Sequence, residues 1–185
     1  MTAASDTELM REVRGGRTSA LAALFERHHA RLYRFCMQMT GNRQVSEDLV
    51  QDVFMRMLKY RKSFQDEMAF VPWMFRIARN ACTDHFRRAA RDAFPEEGFD
   101  CRPADEAAAD DRIDDDDRAR LLRRALLALP VERREVLVLS RYEFKSYEEI
   151  ARALGCSVGA VKVRAHRAMK QLRQVYLELS REPSP

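Results

Sequence analysis

The chain has 185 residues, of which 46% are apolar and 34% charged, with a formal net charge of +4; this predicts core enough for one domain or two small ones and argues against wholesale disorder. Six glycines and six prolines are too few for a fibrous chain or a glycine-rich phosphate cradle. No stretch reaches the roughly 18 apolar residues that crossing a bilayer requires, and the opening Met1-Thr2-Ala3-Ala4-Ser5-Asp6 lacks the basic flank and apolar run of a secretory signal, so a cytoplasmic protein without membrane insertion is expected.

Apolar residues recur at steps of three and four through Leu21, Leu24, Phe25, His28, Leu32, Phe35, Cys36 and Met39, which predicts a long amphipathic helix. Gly41-Asn42 ends it. A second helix is expected after Ser46 as N-cap, with Glu47 and Asp48 in its first turn. Its stripe is Leu49, Val50, Val53, Phe54, Met57 and Leu58. A third runs from near Pro72 to about Arg88. The first twenty residues carry no usable motif.

The pattern is lost between Ala89 and about Arg118. Residues 96–117 hold eleven acids against two arginines, a local charge of −9, so the rest of the chain carries +13. Two basic bodies with an acidic, flexible connector suit a polyanionic partner, although a solvated charged surface also explains the charge. The run Asp114-Asp115-Asp116-Asp117 lacks the glycine and terminal glutamate of a calcium loop. The cysteines, Cys36, Cys82, Cys101 and Cys156, include no Cys-x-x-Cys pair, so neither a zinc knuckle nor a thioredoxin-type redox pair is expected. No metal site, cofactor or small-molecule substrate is expected.

Helical pattern resumes at Leu121, Leu122, Ala125, Leu126 and Leu129, breaks at Pro130, and continues through Val136, Leu137 and Leu139. Ser146 and Glu149 then form a capping box. Ile150 and Leu154 give the buried side of a short helix, Ala151 permits a close crossing, and Gly155 suits a left-handed turn. Ser157 caps a second helix with Val161, Ala165, Ala168 and Leu172 inward. Its opposite face carries Lys162, Arg164, Arg167, Lys170 and Arg173, with small Gly159 and Ala160 at the N-terminal end. A helix slim at its start and basic outside fits a DNA major groove; a solvated basic helix in a bundle is the plainer alternative. The fold expected is all-α: two small helical domains, residues 1–90 and 119–180, joined by an acidic linker, 91–118.

The helix from Pro72 shows two stripes. Met74, Ile77, Ala78, Ala81 and His85 look inward, whereas Trp73, Arg76, Asn80, Thr83 and Arg87 share another face. That second face can stack a base, bond its edge and hold phosphates, which suits unpaired DNA; Trp73 is equally readable as a core aromatic at a helix start. The helix after Ser46 turns Asp48, Gln51, Asp52 and Met55 outward. Acids there would repel DNA, so this face either meets a protein or is simply solvated.

Four stretches in this order resemble a sigma factor of the extracytoplasmic-function (group IV) type. They are Ser46-Glu47-Asp48-Leu49-Val50-Gln51-Asp52-Val53-Phe54, then Trp73-Met74-Phe75-Arg76-Ile77-Ala78-Arg79-Asn80 with Asp84 and Arg87-Arg88, then Leu129-Pro130 through Arg134-Glu135-Val136-Leu137, and the helix-turn-helix ending Val161-Lys162-Val163-Arg164-Ala165-His166-Arg167-Ala168. The resemblance spans about Leu21 to Leu172. It implies a region 2 and a region 4, binding to core RNA polymerase and promoter DNA, and control by an anti-sigma partner. It implies that Asp48, Gln51, Asp52 and Met55 meet polymerase. Trp73, Arg76, Asn80, Thr83, Arg87 and Arg88, with the loop 64–70, would melt and read the −10 element, Asn80 at a flipped-out base. Ser157, Ala160, Lys162, Val163, Arg164 and Arg167 would read the −35 element; Val163 stands where the family commonly carries a small polar residue. The polymerase does the chemistry, so the chain itself is not an enzyme. Two rivals remain on sequence: a helix-turn-helix regulator working without polymerase, which leaves the Trp73–Arg88 helix and the acidic face idle, and an enzyme acting on nucleic acid with Asp114–Asp117 as metal ligands.

Overall fold

A computed structural model describes residues 4–93, 117–143 and 146–181. The expected linker falls largely outside them, as do Cys101, Asp114, Asp115 and Asp116. Among the described residues every element is helical: α1 (Asp6–Arg14), α2 (Ala20–Thr40), α3 (Arg43–Lys59), a 3-10 turn (Arg61–Ser63), α4 (Phe70–Ala93), α5 (Asp117–Leu127), α6 (Val131–Val138) with a π-helical extension (Leu139–Glu143), α7 (Tyr147–Leu154) and α8 (Val158–Leu179).

Helices α2, α3 and α4 form the first core. Their predicted stripes are buried at Leu24, Leu32, Phe35, Cys36, Met39, Leu49, Val53, Met57, Met74, Ala78 and Ala81. The Phe35 and Phe75 rings meet edge to face at 5.3 Å, a favoured aromatic geometry. Cys36 and Cys82 are free thiols in this core; hydrogen bonding to Cys36, then burial, pushes the Cys82 thiol well above its usual range. Gly41 takes φ 69°, ending α2 in a left-handed turn that L side chains adopt only with strain.

Two expectations are corrected here. Helix α3 starts four residues early: Asn42 is its N-cap, accepting from the Val45 backbone N–H at 3.0 Å. Ser46 is instead fully buried inside the helix, and its Oγ donates to the Asn42 carbonyl at 2.6 Å. His85 is only half-buried rather than part of the inward stripe.

Residues 4–20 do have structure. Ser5 and Glu8 form a reciprocal capping box for α1, which buries Leu9, Met10 and Val13. Asp6 ties α1 to α2 through Arg27 (2.9 Å) and His28 (2.8 Å). Arg11 and Arg14 reach Asp66 (3.1 and 2.9 Å), and Arg14 also donates to the Phe64 carbonyl at 3.0 Å. Hydrogen bonds from Arg14, then Arg11, hold the Asp66 carboxyl below its usual range. Helix α1 therefore braces the loop leading into α4.

The second body is α5 to α8. The helix-turn-helix follows its predicted chemistry: Ser146 and Glu149 cap α7 reciprocally, Gly155 turns at φ 64°, and Ser157 accepts from the Ala160 N–H at the start of α8. Val161, Ala165 and Ala168 are buried.

The two bodies touch. Helices α5 and α6 pack on α2, and α7 packs on α4. Leu127 lies over Gly41, so close that a Cβ there would stand 2.6 Å from the leucine. Arg134 of α6 donates to the Met39 carbonyl across the junction and to the Leu127 and Leu129 carbonyls on its own side. Those are carbonyls at and near the C-terminal ends of α2 and α5, where orphan acceptors favour a cation.

Candidate nucleic-acid interface

Asn80, Thr83 and Arg87 line one recess of about 430 Å³ with Arg56, Tyr60, Ile77, Arg79 and Asp84. Asn80 and Arg87 are exposed, Arg76 and Thr83 half-buried, and Arg88 is exposed with its Nε donating to the Asp84 carbonyl at 3.3 Å. Arg56 holds the recess wall in place, donating to Asp52 (2.9 Å) and Asp84 (2.6 Å) and so bridging α3 to α4. Its size suits one planar group.

Trp73 does not join this recess. It is only 3% exposed, with the Phe64 ring at 5.2 Å and the Phe70 ring at 6.3 Å. Phe64 from the loop before α4 and Phe70 from its first turn cover the indole. An exposed aromatic does line the recess, namely Tyr60, whose ring sits under the Lys59 ammonium at 5.5 Å. Sequence reasoning missed it because Tyr60 follows the last residue of α3, off any helical stripe.

On α8, Lys162, Val163, Arg164 and Arg167 are exposed, Ala160 is half-buried, and Ser157 is the cap. The helix start thus offers small residues and the outer face offers cations, as groove entry needs. On α3, Asp48 and Gln51 are exposed, Asp52 is paired to Arg56, and Met55 is 65% exposed. Gln44 donates to Asp48 at 3.3 Å.

The chain matches the family models Sigma-70 region 2 over residues 24–92 and Sigma-70, region 4 over residues 119–172. It is 37% identical over 174 residues to RNA polymerase sigma factor CarQ of Myxococcus xanthus, covering 94% of this chain and 98% of that one. It belongs to the ECF sigma factors. The ECF RNA polymerase sigma factor SigM of Mycobacterium tuberculosis is 33% identical over 171 residues, covering 92% of this chain and 84% of SigM. Among solved structures, the sigma factor RpoE of Bartonella quintana, in complex with the anti-sigma factor NepR, is similar at 27% identity and TM-score 0.61, covering 79% of this chain and 89% of that one.

As an ECF sigma factor the chain binds core RNA polymerase and directs transcription initiation at promoters by recognising −10 and −35 elements; it catalyses no reaction itself. No helix of the described residues is long and apolar enough to cross a membrane. None of their His, Cys, Asp and Glu side chains form a metal-holding group.

Region 4 of this sigma factor also carries a buried acid that its sequence did not advertise. Glu135 of α6 is 5% exposed and meets the Arg79 guanidinium of α4 at 2.6 Å, without the alignment of a hydrogen bond. Burial pushes its carboxyl up to about 7, with Arg79 and then Arg164 of α8 acting against the rise. The folded carboxyl thus binds its proton more tightly than a free one at about 4.5. Its contribution to stability is full below that value and is lost as pH rises through about 7. Thermal melting across this range should fall more steeply for the parent than for Glu135→Gln, and identical profiles would remove Glu135 from the account.

Proposed function

We propose that residues 1–90 bind core polymerase and melt and read the −10 element, that residues 91–118 link, and that residues 119–180 read the −35 element of a group IV promoter set. Work on polymerase places the protein in the cytoplasm. The solved relative RpoE is held by the anti-sigma factor NepR, and a comparable protein partner restrains this chain.

The observation that carries the −10 reading is the recess shared by Asn80, Thr83 and Arg87. An amide can bond a base edge, a guanidinium can hold the adjoining phosphate, and the exposed Tyr60 ring can stack the base, a contact worth roughly 1–3 kcal/mol. Arg76 and Arg88 extend the cationic track along α4, whereas Trp73 supports this face from inside the core. On α8, Lys162, Arg164 and Arg167 supply phosphate and base contacts, and Ser157, Ala160 and Val163 shape the helix start. Affinity from these cations should fall steeply with salt. Asp48, Gln51, Asp52 and Met55 dock on polymerase, the acids supplying charge and Met55 an apolar anchor.

Run-off transcription with purified core polymerase over a promoter library tests the reading: start sites should depend on both elements, and a chain that leaves core polymerase unselective would sink it. Within that assay, Asn80→Ala should lower open-complex formation about tenfold, the loss of one base-edge contact at roughly 1–3 kcal/mol, while closed-complex binding holds. Unchanged permanganate reactivity at the −10 bases would remove Asn80 from the recess chemistry.

A further inference from the structure

Residues 64–69 join the 3-10 turn to α4 with no helix of their own, and Gln65, Asp66, Glu67 and Ala69 are exposed. This loop lies in the chain between Tyr60 and Asn80, and both of those line the recess. Ordering an exposed segment costs conformational entropy at every residue, so a single loop shape needs contacts from outside the loop. Those contacts come from α1, which precedes the residues 24–92 that match Sigma-70 region 2. The Arg14 guanidinium spans two points of the loop: Nη1 donates to the Phe64 carbonyl at 3.0 Å, and Nη2 meets Asp66 Oδ1 at 2.9 Å. Arg11 Nε reaches the same Oδ1 at 3.1 Å.

Helix α1 is itself firmly held. Leu9, Met10 and Val13 are buried, and Asp6 pairs with Arg27 and His28 of α2. The His28 ring then lies 5.2 Å from the ring of Phe70, the first residue of α4. The loop is therefore secured at both ends, by Arg11 and Arg14 at its start and through Asp6, His28 and Phe70 at its finish. The same cations answer an electrostatic problem, because Asp66 and Glu67 put two acids on a loop that faces a polyanion in the proposed −10 reading. Two guanidiniums offset the charge of Asp66. Exposed ion pairs add little to global stability, so the contribution of this clamp is shape and charge at the loop.

We propose that α1 is a positioning element of the −10 reader, and that the clamp of Arg11 and Arg14 on Asp66 sets which base the loop accepts. The inference rests on the −10 reading of region 2 and deepens it. Arg11 and Arg14 act through the loop and touch no DNA. Arg14 matters more than Arg11, because its planar fork ties the Phe64 carbonyl to the Asp66 carboxylate in one geometry, which a single ammonium cannot reproduce. A loop freed from α1 still offers its side chains to DNA, but in many arrangements, so it loses discrimination between bases before it loses affinity.

Run-off transcription by the full chain with core polymerase, on templates randomised at −10 with a fixed −35 element, tests the clamp. Arg14→Ala should lower the preference for the best −10 base over the next by about tenfold, the discrimination that one base-edge contact typically provides. Asp66→Ala should do the same. The double variant keeps the parent's net charge and should lose no more than either single one, because both act through one contact. Its −35 preference and the salt dependence of its promoter binding should match the parent's, while amide exchange at 64–69 should rise. Arg14→Lys should recover little, and Asp66→Asn, at an exposed position, carries the test if Arg14→Ala misfolds. The parent's −10 preference in all these variants, whatever their melting temperatures, overturns the clamp and leaves the sigma reading standing. A preference altered by Asp66→Ala but not by Arg14→Ala makes Asp66 a direct reader and overturns positioning by α1. A salt slope about one lower in the double variant places Arg14 on a phosphate and overturns it too. Initiation without start-site choice by every chain, the parent included, overturns the −10 reading itself.

Discussion

Replacing Trp73 by alanine should unfold region 2 rather than merely weaken promoter melting. The indole is buried and contacts two aromatic rings, Phe64 and Phe70. Truncating a buried Trp to Ala typically costs about 3–5 kcal/mol, because the transfer term and the remaining cavity add. For a chain of this size that is a fall in melting temperature of roughly 10 °C or more. Trp73→Phe keeps part of the aromatic packing and should lose much less. The two substitutions separate the core role from a base-stacking one. A stacking platform would show Trp73→Ala with near-parent melting and defective permanganate reactivity at −10, and that result would overturn the placement in the core.

Why does the stripe through Trp73, Arg76, Asn80, Thr83 and Arg87 bring Asn80, Thr83 and Arg87 to one recess and leave Trp73 in the core? A helical wheel gives direction only. It cannot show that the chain before the helix folds back over its first turn, as Phe64 does here. The turn residues were easier, because Ser146, Glu149, Gly155 and Ser157 act within four residues of themselves. Ser46 failed for a related reason. Asn42 is an equally good cap four residues earlier, and local chemistry alone does not choose between them. The Ser5 and Glu8 capping box was readable by the same rule, but it heads a helix of only nine residues with few apolar positions. The contact between the domains was invisible because helical periodicity does not say which charged residues, Arg79, Arg134 and Glu135 here, will meet across it. Only the assembled tertiary structure buries Arg134 and Glu135 and brings Arg79 to Glu135.

Arg134→Met should cost about 2–4 kcal/mol, concentrated in α5 and α6 and at their junction with α2. Two effects oppose each other. Arg134 is 4% exposed, and burial pushes its pKa down to about 10, so removing the charge relieves a desolvation penalty. Against that, the variant strands the carbonyls of Met39, Leu127 and Leu129. Each buried acceptor left without a donor costs about 1–3 kcal/mol, and methionine fills the space water would need to replace the lost bonds. Three stranded acceptors outweigh one relieved cation. Arg134→Lys should recover little, because a single ammonium cannot span carbonyls that a planar fork reaches together. Amide exchange read residue by residue is the appropriate measurement: protection should fall first in α5 and α6, while the core of α3 and α4 keeps its own. A change within about 0.5 kcal/mol of the parent, the range typical of ordinary surface positions, would mean that those carbonyls find other donors and that Arg134 joins nothing together.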